Sequence, residues 1–208
     1  MDEQVLAAMK KWPNVPAAYG WLSLNARGLW RFHHHGDFVA DPEGDTIENH
    51  QLIQFFNRNY ETTDNGAWYI QNGPQKAFVN LPYAPFILFY DNAQQILSTH
   101  HGHVVNTVKH WYFSDDGRIF AQTDVGPAML TDRDAPSFIN DAKRLDGSDA
   151  VSRELNEHDI EDLVTGASFE LCLSTAKVDL IAPCSYLESN KAEETLGFVK
   201  QPKAKNWP

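Results

Sequence analysis

The chain reads as an α+β protein of two small lobes, each an antiparallel sheet with a packed helix, and three observations predict it. Short apolar runs of strand length are bounded by Gly, Pro, Asn and Asp. Isolated helical stripes fall between them. The order hairpin-then-helix occurs twice, so that residues 1–99 and 100–208 read as two lobes.

In the first lobe, Val5, Leu6, Met9 and Trp12 recur at helical spacing, which predicts a helix over residues 3–12 ended by Pro13. The proline-rich segment that follows runs extended into a hairpin. Trp21, Leu22 and Leu24 form one arm, Leu29, Trp30 and Phe32 the other, and Asn25 to Gly28 supply the turn. Asn49 then caps a helix whose stripe is Leu52, Ile53, Phe55, Phe56 and Tyr60. Residues 67–71 and 75–81 read as strands closed by Asn72-Gly73-Pro74. Residues 85–90 and 94–99 complete an antiparallel sheet.

The second half echoes the first. Trp111-Tyr112-Phe113, a Ser114 to Gly117 turn and Arg118-Ile119-Phe120 precede a helix carrying Phe138, Ile139 and Ala142, with Asp134 as its cap and Pro136 in its first turn. A worn duplication and a chance recurrence both account for this. Asn156 to Asp159 reads as a capping box opening a helix that Gly166 stops. Residues 169–173 and 178–182 read as strands, and the residues from Lys200 onward as a loose or surface tail.

Composition bounds the function. With 208 residues, 42% hydrophobic and 12% aromatic, the chain can bury an aromatic-rich core. A net charge of −11 argues against a nucleic-acid partner, because phosphate backbones are bound by clustered Lys and Arg. The apolar run from Ala84 to Tyr90 contains Pro85 and is far shorter than the ~20 residues of a spanning helix, so no membrane partner is expected. The first residues lack a secretory pattern, and a cytoplasmic location is expected. Cys172 and Cys184 read as buried thiols rather than a disulfide framework.

Trp12-Pro-Asn-Val-Pro-x-x-Tyr-Gly-Trp-Leu22, Arg58-Asn-Tyr60 and Gln71-Asn-Gly-Pro-Gln75 together resemble a family of small, mostly proteobacterial proteins of unknown function. More distantly, the layout is similar to another bacterial family with a repeated two-domain α+β fold and a suggested role in signalling. The resemblance implies that fold and a regulatory role, and no chemistry.

Two groups of residues are site candidates. Arg58, Asn59, Gln71, Asn72 and Gln75 could hold a small anionic or carboxylate-bearing ligand by directional hydrogen bonds, or serve as helix-end and turn residues. On extended chain, His33 and His35 share a face, as do His101 and His103. Four imidazoles could meet at a metal if those strands were neighbours. Asp132, Arg133 and Asp134 offer flanked carboxylates for acid-base work, or a helix cap. Trp21, Trp30, Trp68 and Trp111 read as core. No nucleophile elbow, phosphate-binding loop, dinucleotide fingerprint or C-x-x-C is present, and no cofactor is implied.

These readings lead to a non-enzymatic module that binds a small molecule or regulates through one held between the lobes. The alternatives are a metal-assisted hydrolase built on the histidines, which needs His33, His35, His101 and His103 to converge, and a protein-interaction module, which needs an exposed apolar patch or sheet edge.

Overall fold

Two mixed sheets organise the protein, and a strand register shared between them sets its architecture. The computed structural model describes residues 3–12, 15–146 and 151–204. The chain divides into two compact units, Met1–Pro85 with Gly197–Pro208, and Phe86–Leu196. The division thus falls at residue 85 rather than 99, and the last segment of the chain joins the first unit.

The first unit contains α1 (Glu3–Lys11), β1 (Ala18–Leu24), β2 (Trp30–Phe32), β3 (Asp45–Thr46), α2 (His50–Arg58), β4 (Tyr60–Thr62), β5 (Trp68–Asn72) and β6 (Gln75–Asn80). Its six strands lie in the order β3-β2-β1-β6-β5-β4. Asn49 caps α2 by accepting from the backbone N–H groups of Gln51 and Leu52. The helix lays Phe56 edge-on against Trp30, with ring centroids 5.5 Å apart. On α1, Val5 is buried, whereas Leu6 and Trp12 stay half-exposed; Pro13 lies outside the described residues. Residues 199–202 are docked rather than loose. Lys200 O accepts from Leu81 N at 2.7 Å, Val199 N donates to Gly66 O, and Pro202 is buried.

The second unit contains β7 (Phe86–Asp91), β8 (Ile96–Thr99), β9 (Val108–Ser114), β10 (Ile119–Thr123), β11 (Pro127–Leu130), α3 (Ala135–Asp141), β12 (Lys143–Asp146), β13 (Val151–Glu154), α4 (Glu157–Val164), β14 (Phe169–Ser174), β15 (Asp179–Leu187) and α5 (Ala192–Leu196). Its nine strands run β13-β12-β14-β15-β9-β10-β11-β7-β8. The sheets are mixed rather than purely antiparallel. β1 pairs parallel with β6, β9 with β15, and β7 with β11. The strands at residues 86–91 and 96–99 therefore extend the second sheet, not the first.

Read from the other side, six strands of the second sheet, β11-β10-β9-β15-β14-β12, reproduce the order of the first. In each unit a hairpin and a short third strand lead to a helix. The strands that follow it end in one that adds parallel to the hairpin's first arm. The turns match atom for atom. Asn25 N donates to Leu29 O and Gly28 N to Asn25 O, while Ser114 N donates to Arg118 O and Gly117 N to Ser114 O. Gly28 and Gly117 take φ of 73° and 77°, left-handed values that glycine reaches without penalty. The α+β duplication is thus carried by strand order and hydrogen bonding, while few side chains repeat. The second core centres on Trp111, which is fully buried and packs on Phe138 at 5.0 Å.

Asp134 does not cap α3 with its side chain. Its carboxylate accepts from Tyr90 N, Thr131 Oγ1 and Arg133 Nε, pinning the helix start to β7 and β11. The capping box of α4 forms between Asn156 and Asp159. Arg153 and Arg144 also bind that buried carboxylate, and the Arg153 hydrogen bonds, working against burial, hold it well below the usual carboxylate range. Among the described residues no helix is long and apolar enough to cross a membrane.

Candidate functional site

A cleft of about 460 Å³ opens between α2 and one face of the first sheet, and strand alternation explains its lining. Leu22 on β1 sits opposite Phe32 on β2, Ile70 on β5 opposite Ala77 on β6, and Asn72 opposite Gln75, so all six point to one side. Leu52 and Phe56 of α2, with Ile47, form the facing wall. The β1–β6 register shifts between Ala18 and Leu22, and Trp21 lines the cleft beside Leu22 instead of turning to the opposite face. Trp21 is 40% exposed, so of the four tryptophans expected in the core, only Trp30, Trp68 and Trp111 are buried.

The cleft holds hydrocarbon along most of its length and two amides at one end. Gln75 Nε2 donates to Pro16 O at 3.1 Å, which leaves its carbonyl oxygen as an acceptor, and the Asn72 side chain is exposed. Among the described residues, no titratable or nucleophilic side chain lines it.

The five residues expected to form a polar patch separate into two roles. Asn72 and Gln75 border the cleft. Asn59 is fully buried and ties the helix end to the hairpin: Nδ2 donates to Phe55 O, and the backbone carbonyl accepts from Gln71 N at 2.9 Å. Gln71 is buried and spends its amide N–H on Gly73 O and Gln75 O, holding the β5–β6 turn. Arg58 is exposed at the C-terminus of α2. Trp21, Phe32 and Leu52 read from the sequence as hairpin, core and helix-stripe residues, not as site residues. The signal available was Trp21 next to Leu22, two large apolar residues in succession on a strand that otherwise alternates.

Neither histidine pair sits on a continuous extended run: the chain turns at His34 and at His100–His101. His34–Gly36 is a 3₁₀ turn in which His35 has φ of 66°. His33 is fully buried. Its Nδ1 donates to Asp41 O at 2.6 Å, since a carbonyl can only accept, and its Nε2 therefore accepts from Ser23 Oγ at 2.8 Å. Both nitrogens are spent on structure. His34 binds Asp45. In the second unit, His101 and His103 have ring centroids 6.4 Å apart at the end of β8, beside His100, whose Nδ1 accepts from Ile87 N. Burial, and then the neighbouring His101, holds His100 well below the usual imidazole range. Burial, and then His103, lowers His101 to about 4. Among the described residues no group of three or more His, Cys, Asp or Glu side chains is placed to hold a metal ion. Both cysteines are buried and unpaired with each other, and burial pushes the Cys184 thiol up to about 12.

Comparison with known proteins gives a family through one family model and gives no chemistry. The DUF2944 family model, described as a protein of unknown function (DUF2946), matches residues 1–203. None of the curated proteins compared with the chain matches it. A solved DUF1285 family protein from Silicibacter pomeroyi DSS-3 is similar at 14% identity and a TM-score of 0.47, covering 77% of this chain and 99% of that one.

Proposed function

The chain belongs to the DUF2944 family of proteins of unknown function, and on that premise we propose that it is a small-molecule-binding module whose receptor is the cleft between α2 and the first sheet. The observation that carries this is a register comparison. Asn72 and Gln75 stand where the second unit has Leu173 and Leu180, paired on β14 and β15 and both buried. A scaffold that closes this space with leucine in one copy keeps it open, with two amides at its end, in the other.

The lining selects the ligand class. Indole, phenyl and aliphatic walls favour an apolar body, and the amides favour a neutral hydrogen-bonding end. A charged group would be desolvated there without a counter-charge, so the carboxylate expected from the sequence fits this cleft poorly. Binding, not catalysis, is the chemistry such a lining supports, and a ligand-dependent regulatory role follows most simply from it. A volume of about 460 Å³ suits a molecule of metabolite size.

Thermal denaturation with N-benzylacetamide, a neutral amphipath, tests the reading. A ligand that binds only the native state raises the melting temperature. Ala77→Phe fills the cleft from β6 and should melt normally while losing the rise, and charged benzylammonium should give none. No rise with the parent protein, or an equal rise with Ala77→Phe, contradicts the proposal.

A further inference from the structure

On the opposite face of the same sheet lies a second hollow of about 610 Å³, with a different chemistry. Ser23, Arg31 and Thr46 align across β1, β2 and β3 to form its floor, and Arg27 stands at its rim on the β1–β2 turn. Phe38, Pro42, Pro82 and Tyr83 give it an apolar side.

The loop over residues 41–46 is riveted to the sheet mainly by guanidinium and imidazole donors to backbone carbonyls, and His34 binds the Asp45 carboxylate beside them. Arg31 Nε donates to Glu43 O at 2.6 Å, Nη2 to Gly44 O at 2.7 Å, and Nη1 binds Thr46 Oγ1. His33 holds Asp41 O in the same loop, and Gly44, with φ of 52°, passes so close that an added Cβ would meet the His33 ring at 2.6 Å. The wall of the hollow is therefore preformed. Every acceptor of Arg31 is neutral, and neither Arg27 nor Arg31 has a carboxylate partner among the described residues. Two guanidinium groups thus line one hollow of a chain whose net charge is −11, against the single carboxylate of Glu43 in that lining. Three of the five N–H donors of Arg31 are used in holding the loop, which leaves one on each Nη for carboxylate or phosphate oxygens. The second unit has nothing equivalent. By register the counterparts of Arg27 and Arg31 are Asp116, which pairs with Arg118, and buried Phe120.

We propose that this hollow binds a small organic anion, a phosphate or carboxylate on a ring-bearing body, with Arg27 and Arg31 on the oxyanion and Phe38 and Tyr83 beside the ring. Glu43 lines the hollow as well and weakens the attraction, which gives the site a built-in counter-charge to test.

Titration followed by ¹H–¹⁵N NMR, using phenyl phosphate, benzoate and neutral benzyl alcohol, tests it. At least one anion should give saturable shifts at Arg27, Arg31 and Tyr83, the tighter of the two identifying the oxyanion, while benzyl alcohol leaves these signals in place. Arg27→Ala removes an exposed turn side chain and should weaken the anion about tenfold. Glu43→Gln should tighten it a few-fold. Failure of both anions to shift these residues overturns the proposal. So do equal shifts with benzyl alcohol, unchanged affinity in a normally folded Arg27→Ala protein, and unchanged affinity in Glu43→Gln. These signals are separate from those of the cleft on the other face, so failure here leaves the neutral-ligand reading standing.

Discussion

In the first unit, Leu22, Asn72 and Gln75 border an open cleft; in the second, the same register positions carry Trp111, Leu173 and Leu180, and the space is filled. One position runs the other way. Phe32 has Ala121 as its counterpart, and Trp111, directly across from Ala121, takes up that room. The difference teaches that strand order alone does not decide whether such a unit is a receptor or a closed core. A few inward side chains decide it, because interiors are packed to crystal-like density and any space left unfilled is either costly or used.

The largest expected effect tests the closed side. Trp111→Ala should cost about 3–5 kcal/mol in denaturant unfolding, because nothing nearby can collapse into the void, whereas Trp21→Ala, at the half-exposed cleft wall, should cost less than about 1 kcal/mol. Comparable losses at the two sites would erase the contrast between them. Next, Leu173→Asn copies the first unit's polar residue into the second and buries an amide without a partner. About 3 kcal/mol should be lost, while the reciprocal Asn72→Leu should change stability by less than about 1 kcal/mol.

The buried His100 and His101 of the second unit make its stability depend on pH. His100 and His101 titrate well below the ordinary imidazole range when folded, so the unfolded chain binds their protons first. Their contribution to stability is complete above about pH 6.5 and is lost as the pH falls from there toward about 4, where His101 titrates in the fold. The loss should be on the order of 2 kcal/mol, read from unfolding midpoints across that window. His101→Gln should flatten the curve, and an unchanged pH dependence would remove the buried histidines as its source.

Much of the architecture is legible locally. The Asn25–Gly28 and Asn72–Pro74 turns, the Asn49 cap and the Asn156 capping box sit where their side chains place them, since each rests on contacts within a few residues. The parallel pairings of β1 with β6 and β9 with β15 are not legible, because nothing local records which strand a long crossover returns beside. For the same reason β7 and β8 read as part of the first sheet. Asn72 and Gln75 stood out by residue type, but their role depends on facing Trp21 across a register shift that no alternation pattern displays. His33 looked like a metal ligand because extended spacing brings His33 and His35 to one face. The chain instead turns at His34, and Ser23 and Asp41 take both nitrogens of His33.

As proposed, one copy of the repeated unit is a receptor and the other a closed core. The tryptophan indole N–H signals, followed during a titration with N-benzylacetamide, test it most directly. A receptor cleft in the first unit should give saturable shifts at Trp21 together with the side-chain amides of Asn72 and Gln75, with Trp111 unmoved. Shifts at Trp111 with Trp21 silent, or no saturable shift at any of these groups, would contradict it.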